Sequence, residues 1–305
     1  IVGTLFIGLS KAFDLVNYDI LLEKLKLYGV HESTVKWFSS YLKGRYQHTY
    51  VSGTLSNCGK VVSGVPQCSV LGPTLFLVYI NDLTLVLSEC IADMFADDST
   101  ISAQNKNIDK VDSTLSNELQ RVNKWFENNH MAINFQKTKL MYVTSKPTHR
   151  QLSNTHSLLS VQLLDSVVDE SSSERLLGVT INNDLSWNTQ VDNVIKNCNT
   201  FIYVLYRIKV FLSFQKRKRF YNAYILPHFD LCCVIWGNCT SVMEDKLEQL
   251  QKRAARAILD VDFTVPSETM FTQPKWMTFP ERVGYHKAIQ MYNTLCGDAS
   301  DYFQL

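Results

Sequence analysis

Two adjacent carboxylates are the sharpest chemical feature of this sequence. Phe95-Ala96-Asp97-Asp98 sets a pair of acids behind two apolar residues, Met94 and Phe95. Neighbouring carboxylates repel one another unless a cation lies between or beside them. One reading is a divalent-cation site for phosphoryl transfer, in which two ions roughly 3.5–4 Å apart hold the attacking and leaving oxygens. The other is a solvated Asp-Asp turn, a common use of these residues. Three further blocks accompany the pair. Upstream, residues 63–73 read Ser-Gly-Val-Pro-Gln-Cys-Ser-Val-Leu-Gly-Pro. Here a rigid turn leads into a helix N-terminus at Ser69, whose free N–H groups favour phosphate. Plain loop punctuation is the alternative. Farther upstream, Leu9-Ser10-Lys11-Ala12-Phe13-Asp14 places an aromatic and an acid at a strand end. Downstream, Asn134-Phe135-Gln136-Lys137-Thr138-Lys139 puts lysines in a turn.

A basic stretch lies much later in the chain. Arg207, Lys209, Lys216, Arg217, Lys218 and Arg219 fall in a segment with no acid between Asp192 and Asp230. Tyr203, Tyr206, Phe211, Phe214 and Phe220 interleave with them. Such a segment suits contact with the phosphates of a nucleic-acid duplex. It equally suits a solvated helix end whose aromatics fill a bundle core. Lys252, Arg253 and Arg256, on a later helix, are candidates for the same face.

The elements that must position these residues can be read from hydrophobic period and punctuation. Residues 1–9 form a short apolar run, a buried strand. Residues 18–28 carry apolar side chains at helical spacing and stop at Gly29. Residues 32–42 form a second short helix. Residues 46–63 suggest two strands around a Ser52-Gly53 turn. Residues 69–87 read as a buried helix, and 91–104 as a hairpin with Ala96-Asp97-Asp98 at its tip. Residues 107–128 form a long amphipathic helix with Val111, Leu115, Leu119, Val122 and Phe126 on one side. Two or three strands follow between 139 and 181. From about 188 almost everything is helical, over 189–211, 214–226, 241–260 and 281–295. This change of character places a domain boundary near 186. The first part is α+β with an antiparallel sheet packed on helices, and the second is an all-α bundle.

Bulk properties set limits. The 305 residues suffice for two domains. Thirty basic against twenty-nine acidic residues leave +1, so any basic footprint is local rather than global. The eight cysteines form no CxxC pair and no zinc-spaced cluster, as in reduced intracellular proteins. No run approaches the ~18 apolar residues of a membrane span. The chain opens at Ile1 inside an apolar run, without Met or a charged leader, which reads as the interior of a longer protein.

The four blocks, in this order and spacing, resemble palm motifs A to D of the reverse transcriptases of jockey-like non-LTR retrotransposons. The resemblance extends to residues 175–187, similar to the family's primer grip and thumb entry. It continues through Ile225-Leu226-Pro227-His228, Trp236-Gly237 and Gln251-Lys252-Arg253-Ala254-Ala255-Arg256, similar to the thumb. It therefore implies a reverse-transcriptase palm over 1–186 and a helical thumb with a C-terminal extension over 187–305. The implied activity is RNA-directed DNA synthesis by two-metal nucleotidyl transfer. Its implied partners are an RNA template, a DNA primer, deoxynucleotides and two Mg²⁺ ions, in an intracellular setting of cytoplasm and nucleus. Asp97 and Asp98 match the metal-binding acids of motif C. Phe13 matches the aromatic that screens the sugar 2′ position, and Gln67 the glutamine near the nucleotide. Lys137 matches a candidate general acid toward pyrophosphate. The basic thumb residues match a duplex-binding face.

Two departures stand out. The family's motif A Asp falls five residues before Phe13, where this chain has Gly8. Glycine offers no ligand, so transition-state stabilisation should largely be lost. Asp14 lies past a turn and reads as structural rather than as a substitute. Cys68 stands where the family has glycine and the backbone should pass close to a ligand. The fingers that precede motif A, and any endonuclease domain, are missing from this stretch. Three outcomes remain open: a degenerate polymerase, a pseudo-polymerase that at most binds nucleic acid, and an unrelated Asp-Asp metal hydrolase. The last explains neither motif B nor the thumb.

Overall fold

The structure is a computed structural model. It describes residues 1–145, 147–148, 161–163, 166–262, 264–266, 270–271 and 276–299. The chain divides into two units, Ile1–Glu174 and Arg175–Leu305.

The first unit is built on a five-stranded sheet in the order β11-β8-β1-β7-β6. Its strands are β1 (Val2–Ile7), β6 (Ile91–Phe95), β7 (Asp98–Gln104), β8 (Lys139–Val143) and β11 (Asp169–Glu170). β1 is central and antiparallel to both β7 and β8, so its backbone is paired on either side. Its side chains alternate, with Gly3, Leu5 and Ile7 buried and the residues between them half-exposed. Onto the buried face packs α4 (Ile108–Asn128), which meets β1 and β7. Val111, Leu115, Leu119, Val122 and Phe126, the stripe read from the sequence, are each at most 1% exposed. Asn107 caps this helix by accepting from the Asp109 N–H. Two more helices, α1 (Tyr18–Leu27) and α2 (Glu32–Leu42), pack on each other, and α1 also packs on α3 (Gly72–Ile80). Lys24 is buried among them. Its ammonium reaches the Tyr79 carbonyl and Asp82, both at 2.6 Å, and lies over the Trp125 ring.

Residues 46–60 differ from the two expected strands. They form four two-residue strands, β2 (Tyr46–Gln47) with β5 (Gly59–Lys60) and β3 (Tyr50–Val51) with β4 (Thr54–Leu55). The inner pair turns at Ser52-Gly53, both at positive φ, as a tight hairpin turn requires. The buried helix expected over 69–87 begins at Gly72 and gives way to 3-10 turns over Asn81–Val86. Short pairs β9 (Gln162–Leu163) and β10 (Ser166–Val167) complete the unit.

β12 (Ser173–Leu176) runs across the division, which lies upstream of the boundary expected near 186. The reason is β13 (Val179–Asn182). Its buried Val179 belongs to the second core, and the Thr180 N–H donates to the Gln190 side chain at 2.9 Å. The second unit is otherwise helical: α5 (Asn188–Ile208), α6 (Phe214–Tyr224), α7 (Leu226–Asp230), α8 (Cys233–Trp236), α9 (Ser241–Leu259) and α10 (Phe279–Cys296). Val194, Cys198, Ile202 and Leu205 of α5 pack with Leu247, Leu250, Ala254 and Ile258 of α9. α10 starts at a capping box between Thr278 and Glu281. Among the described residues no helix is long and apolar enough to cross a membrane.

α10 is tied to α7 by a bidentate pair, Arg282 to both oxygens of Asp230 at 2.7 and 2.6 Å, with both side chains largely covered. Removing one member of such a pair strands the other charge. Arg282→Ala should therefore cost about 2–3 kcal/mol, read as a lower urea midpoint for the unfolding of Trp236 fluorescence.

Candidate active site

The site follows from the register of β1. Phe6 faces Thr100 and Ile7 faces Ser99 across the ladder. Gly8 follows, and Asp98 precedes, the last pair of this ladder; Asp98 is the first residue of β7. Asp98 closes the hairpin against Phe95, leaving Ala96 and Asp97 as a two-residue turn with Ala96 at φ +53°. Position 8 and the acids at 97 and 98 thus fall at the same end of the sheet. Asp97 and Asp98 are both exposed.

On the other side of Gly8 lies the 134–138 turn, which carries Lys137. The Asn134 N–H donates to the Gly8 carbonyl at 2.7 Å, and the Gly8 N–H donates to Thr138 Oγ1 at 3.2 Å. Thr138 is fully buried, while Lys137 is exposed. A Cβ placed on Gly8 would lie 2.4 Å from the Cβ of Lys137.

Beyond Leu9 the chain enters a 3-10 turn, Ala12–Asp14. Phe13 stacks on Phe76 of α3 at 4.4 Å between centroids, so its ring is partly committed to packing. Backbone bonds join this turn to the loop at 63–67: Val65 N–H to the Phe13 carbonyl at 2.9 Å and Gly64 N–H to the Val16 carbonyl at 2.8 Å. Gly64 sits at φ +86°, and a Cβ there would fall 2.8 Å from Asp14 Cα and carbonyl oxygen. Gly64 thus answers both a positive φ and a close approach. The Gln67 side-chain amide donates to Asp14 Oδ1 at 2.9 Å. Asp14, Arg45, Gln47, Ser63, Gly64 and Gln67 line part of a cleft of about 290 Å³. Asp14, read as structural from its sequence position, accepts from Gln67 and lines the cleft. Its hold on Gln67 is not readable from sequence, because the two are joined only by the folding of one loop onto another.

Cys68 occupies the left-handed region at φ +59°, so the backbone keeps a conformation suited to glycine. The N-terminus read at Ser69 is displaced to Gly72, because the turn through Cys68 must first reverse the chain. The Ser69 hydroxyl bridges the gap, donating to the Pro66 carbonyl at 2.7 Å and accepting from the Gly72 N–H at 2.9 Å.

The donor set does not fit a two-ion centre. Among the described residues there is no cluster of three or more His, Cys, Asp or Glu side chains able to hold a metal. Asp97 and Asp98 supply carboxylates, position 8 supplies nothing, and the space beside it is taken by the 134–138 turn.

The basic residues of the second unit sort into two groups. Lys209 pairs with Asp260 at 2.7 Å, and Arg217 approaches the same carboxylate at 3.6 Å. Asp260 caps α9 in the left-handed conformation, and the Lys209 hydrogen bond holds its carboxyl below the usual range. Lys252 pairs with Glu248, and Arg253 donates to Asn199. Lys218 and Arg256 are half-buried and have partners of their own. Arg207, Lys216 and Arg219 are exposed and form no ion pair among the described residues. The interleaved aromatics divide likewise. Tyr206, Phe214 and Phe220 pack against the bundle core, whereas Tyr203 and Phe211 are exposed.

The first unit is thus a mainly antiparallel sheet, with β11 parallel to β8, backed by helices and carrying adjacent acids at a hairpin. The family description "Reverse transcriptase (RNA-dependent DNA polymerase)" matches residues 3–181, and the chain belongs to that family. Its relatives include two transposon proteins of Drosophila melanogaster. One is a probable RNA-directed DNA polymerase from transposon BS, 25% identical over 93% of this chain and 32% of that protein. The other is the RNA-directed DNA polymerase from mobile element jockey, 26% identical over 83% of this chain and 28% of its own length. The chain thus spans about a third of the curated relatives it matches. Among solved structures, apo telomerase from Candida Tropicalis aligns over 93% of this chain and 46% of that one, at 11% identity and a TM-score of 0.44. That likeness is too low to bear on the assignment.

Replacing Cys68 by glycine removes the left-handed penalty, offset in part by a freer unfolded chain. Cys68→Gly should raise stability by up to about 1 kcal/mol, seen as a higher melting temperature of the first unit.

Proposed function

We propose that this chain is the palm and thumb of an RNA-directed DNA polymerase of a jockey-like non-LTR retrotransposon, and that its polymerising centre is degenerate. Family membership and the transposon relatives support the first part. One observation carries the second: Gly8 stands just past the end of β1, where the resemblance calls for an acid, and the 134–138 turn closes on it. Nucleotidyl transfer by two metals needs carboxylates on both sides of the ion pair to spread the charge of the transition state. Asp14 cannot replace the missing one, since it lies past the 3-10 turn with its carboxylate bonded to Gln67. Phe13, Gln67 and the cleft beside them remain formed, which supports retention of a nucleotide- or template-facing surface.

The second unit supplies the remaining function. Its exposed cations Arg207, Lys216 and Arg219 are suited to phosphates of a template–primer duplex. Lys209 and Arg217 serve this surface indirectly, by fixing the end of α9 through Asp260.

Two outcomes follow. In primer extension on an RNA template with Mg²⁺ and deoxynucleotides, the chain should incorporate no more than its Asp97→Asn variant. Extension clearly above that variant would overturn the degenerate reading. Binding of an RNA–DNA duplex should weaken with salt, and the slope of log K against log salt should shrink by about 1 for each of Lys216→Ala and Arg219→Ala. Lys209→Ala should instead lower thermal stability.

A further inference from the structure

The space beside Gly8 holds a second lesion. We propose that positions 8 and 137 are a coupled pair: the 134–138 turn has settled against the bare backbone of Gly8, so that returning an acid to position 8 alone cannot rebuild an ion site.

The geometry is specific. A Cβ on Gly8 would lie 2.4 Å from Lys137 Cβ, 3.1 Å from its carbonyl carbon and 3.3 Å from its Cα. Non-bonded carbons normally sit no closer than about 3.5–4 Å. The obstructing atoms are the root of a side chain and its backbone, not the mobile tip of the lysine, so no rotamer change relieves the contact. The turn itself would have to move, and it is held from several directions. It receives the Gly8 N–H on Thr138 Oγ1 and gives the Asn134 N–H to the Gly8 carbonyl. Internally, the N–H groups of Lys137 and Thr138 donate to the Asn134 carbonyl at 3.1 and 2.9 Å, and the Thr138 hydroxyl does so at 3.0 Å. On either side of Gly8 the chain is pinned as well, by the Ile7–Ser99 pair and the Leu9–Ile133 bridge. Neither partner can retreat without breaking bonds that have no replacement nearby.

Any side chain at position 8 therefore overpacks the site before its charge matters. Alanine separates the two effects, since it adds the Cβ and nothing else. Removing the Lys137 side chain takes away the nearest atom and lets the turn backbone relax.

The test is a double-mutant cycle on melting temperature in the full chain, with Gly8→Ala, Lys137→Gly and both together. The cycle cancels the effect of the new glycine on the unfolded state. Gly8→Ala should lower the transition of the first unit by roughly 4–10 °C, and Lys137→Gly should recover at least half of that fall. An unchanged melting temperature in Gly8→Ala, or a fall that Lys137→Gly does not relieve, would overturn the coupling. The consequence for ions rests on the degenerate-polymerase reading and is measured separately, by calorimetric titration with Mn²⁺. Gly8→Asp should bind Mn²⁺ no better than the unmodified chain, and Gly8→Asp with Lys137→Gly should bind at least tenfold tighter. Equal gains in the single and double variants would refute the second lesion. Primer extension by the unmodified chain would refute the degenerate reading while leaving the melting cycle intact.

Discussion

The register of β1 is the constraint on which the rest of the first unit depends. β1 is the central strand of the five-stranded sheet, paired antiparallel on both sides, and both ladders run nearly its whole length. Leu5 and Ile7 point into the core under α4, and Leu5 faces the equally buried Ile101. A slip of one residue would turn that set to solvent and bring Thr4 and Phe6 inward. Burying Leu5 and Ile7 is worth several kcal/mol by area, so the register is fixed by packing, not by any active-site residue. Position 8, just past Ile7, is consequently fixed at that end of the sheet whatever occupies it.

The same logic explains how the chain keeps a formed cleft. The junction between Ala12–Asp14 and the 63–67 loop rests on backbone hydrogen bonds and on the close approach of Gly64, none of which uses a catalytic carboxylate. Arg45 reinforces it from outside, donating to the Gly64 carbonyl and the Tyr18 hydroxyl, each at 2.8 Å. The family motifs are therefore structural joints as well as chemical groups. The departures at Gly8 and Cys68 both fall at tight backbone positions, one against Lys137 and one at positive φ.

Helices and their faces were legible in the sequence because amphipathic period and caps are local signals. The stripe on α4 from Val111 to Phe126 is an example, as is the stop at Gly29. The pairing of β1 with β7 was not legible locally, since their residues are about ninety positions apart in sequence and no local pattern pairs them. Three features were not legible. The twin hairpins at 46–60 read as two strands, because each pairing is only two residues long and leaves no alternation to detect. The displacement of α3 to Gly72 depends on the conformation of Cys68, a residue with no propensity for the left-handed region. The split among the thumb cations depends on Asp260, which is remote in sequence from Lys209 and Arg217 yet takes both. A charge run names the residues that could meet phosphate, and only the fold reveals which of them are already spent on the protein.

The paired acids lie apart from the buried core that holds the fold together. Asp97 lies on the two-residue turn and Asp98 begins β7; both are exposed, and they repel each other when no cation lies beside them. Their mutual repulsion costs a little at the turn. A buried Leu5 or Phe126 is held in place by every neighbour it packs against, whereas an active-site carboxylate is held only by the reaction it serves. The sheet, the α4 stripe and the helical bundle therefore stand without it, and a family fold can outlast the chemistry for which its motifs were shaped.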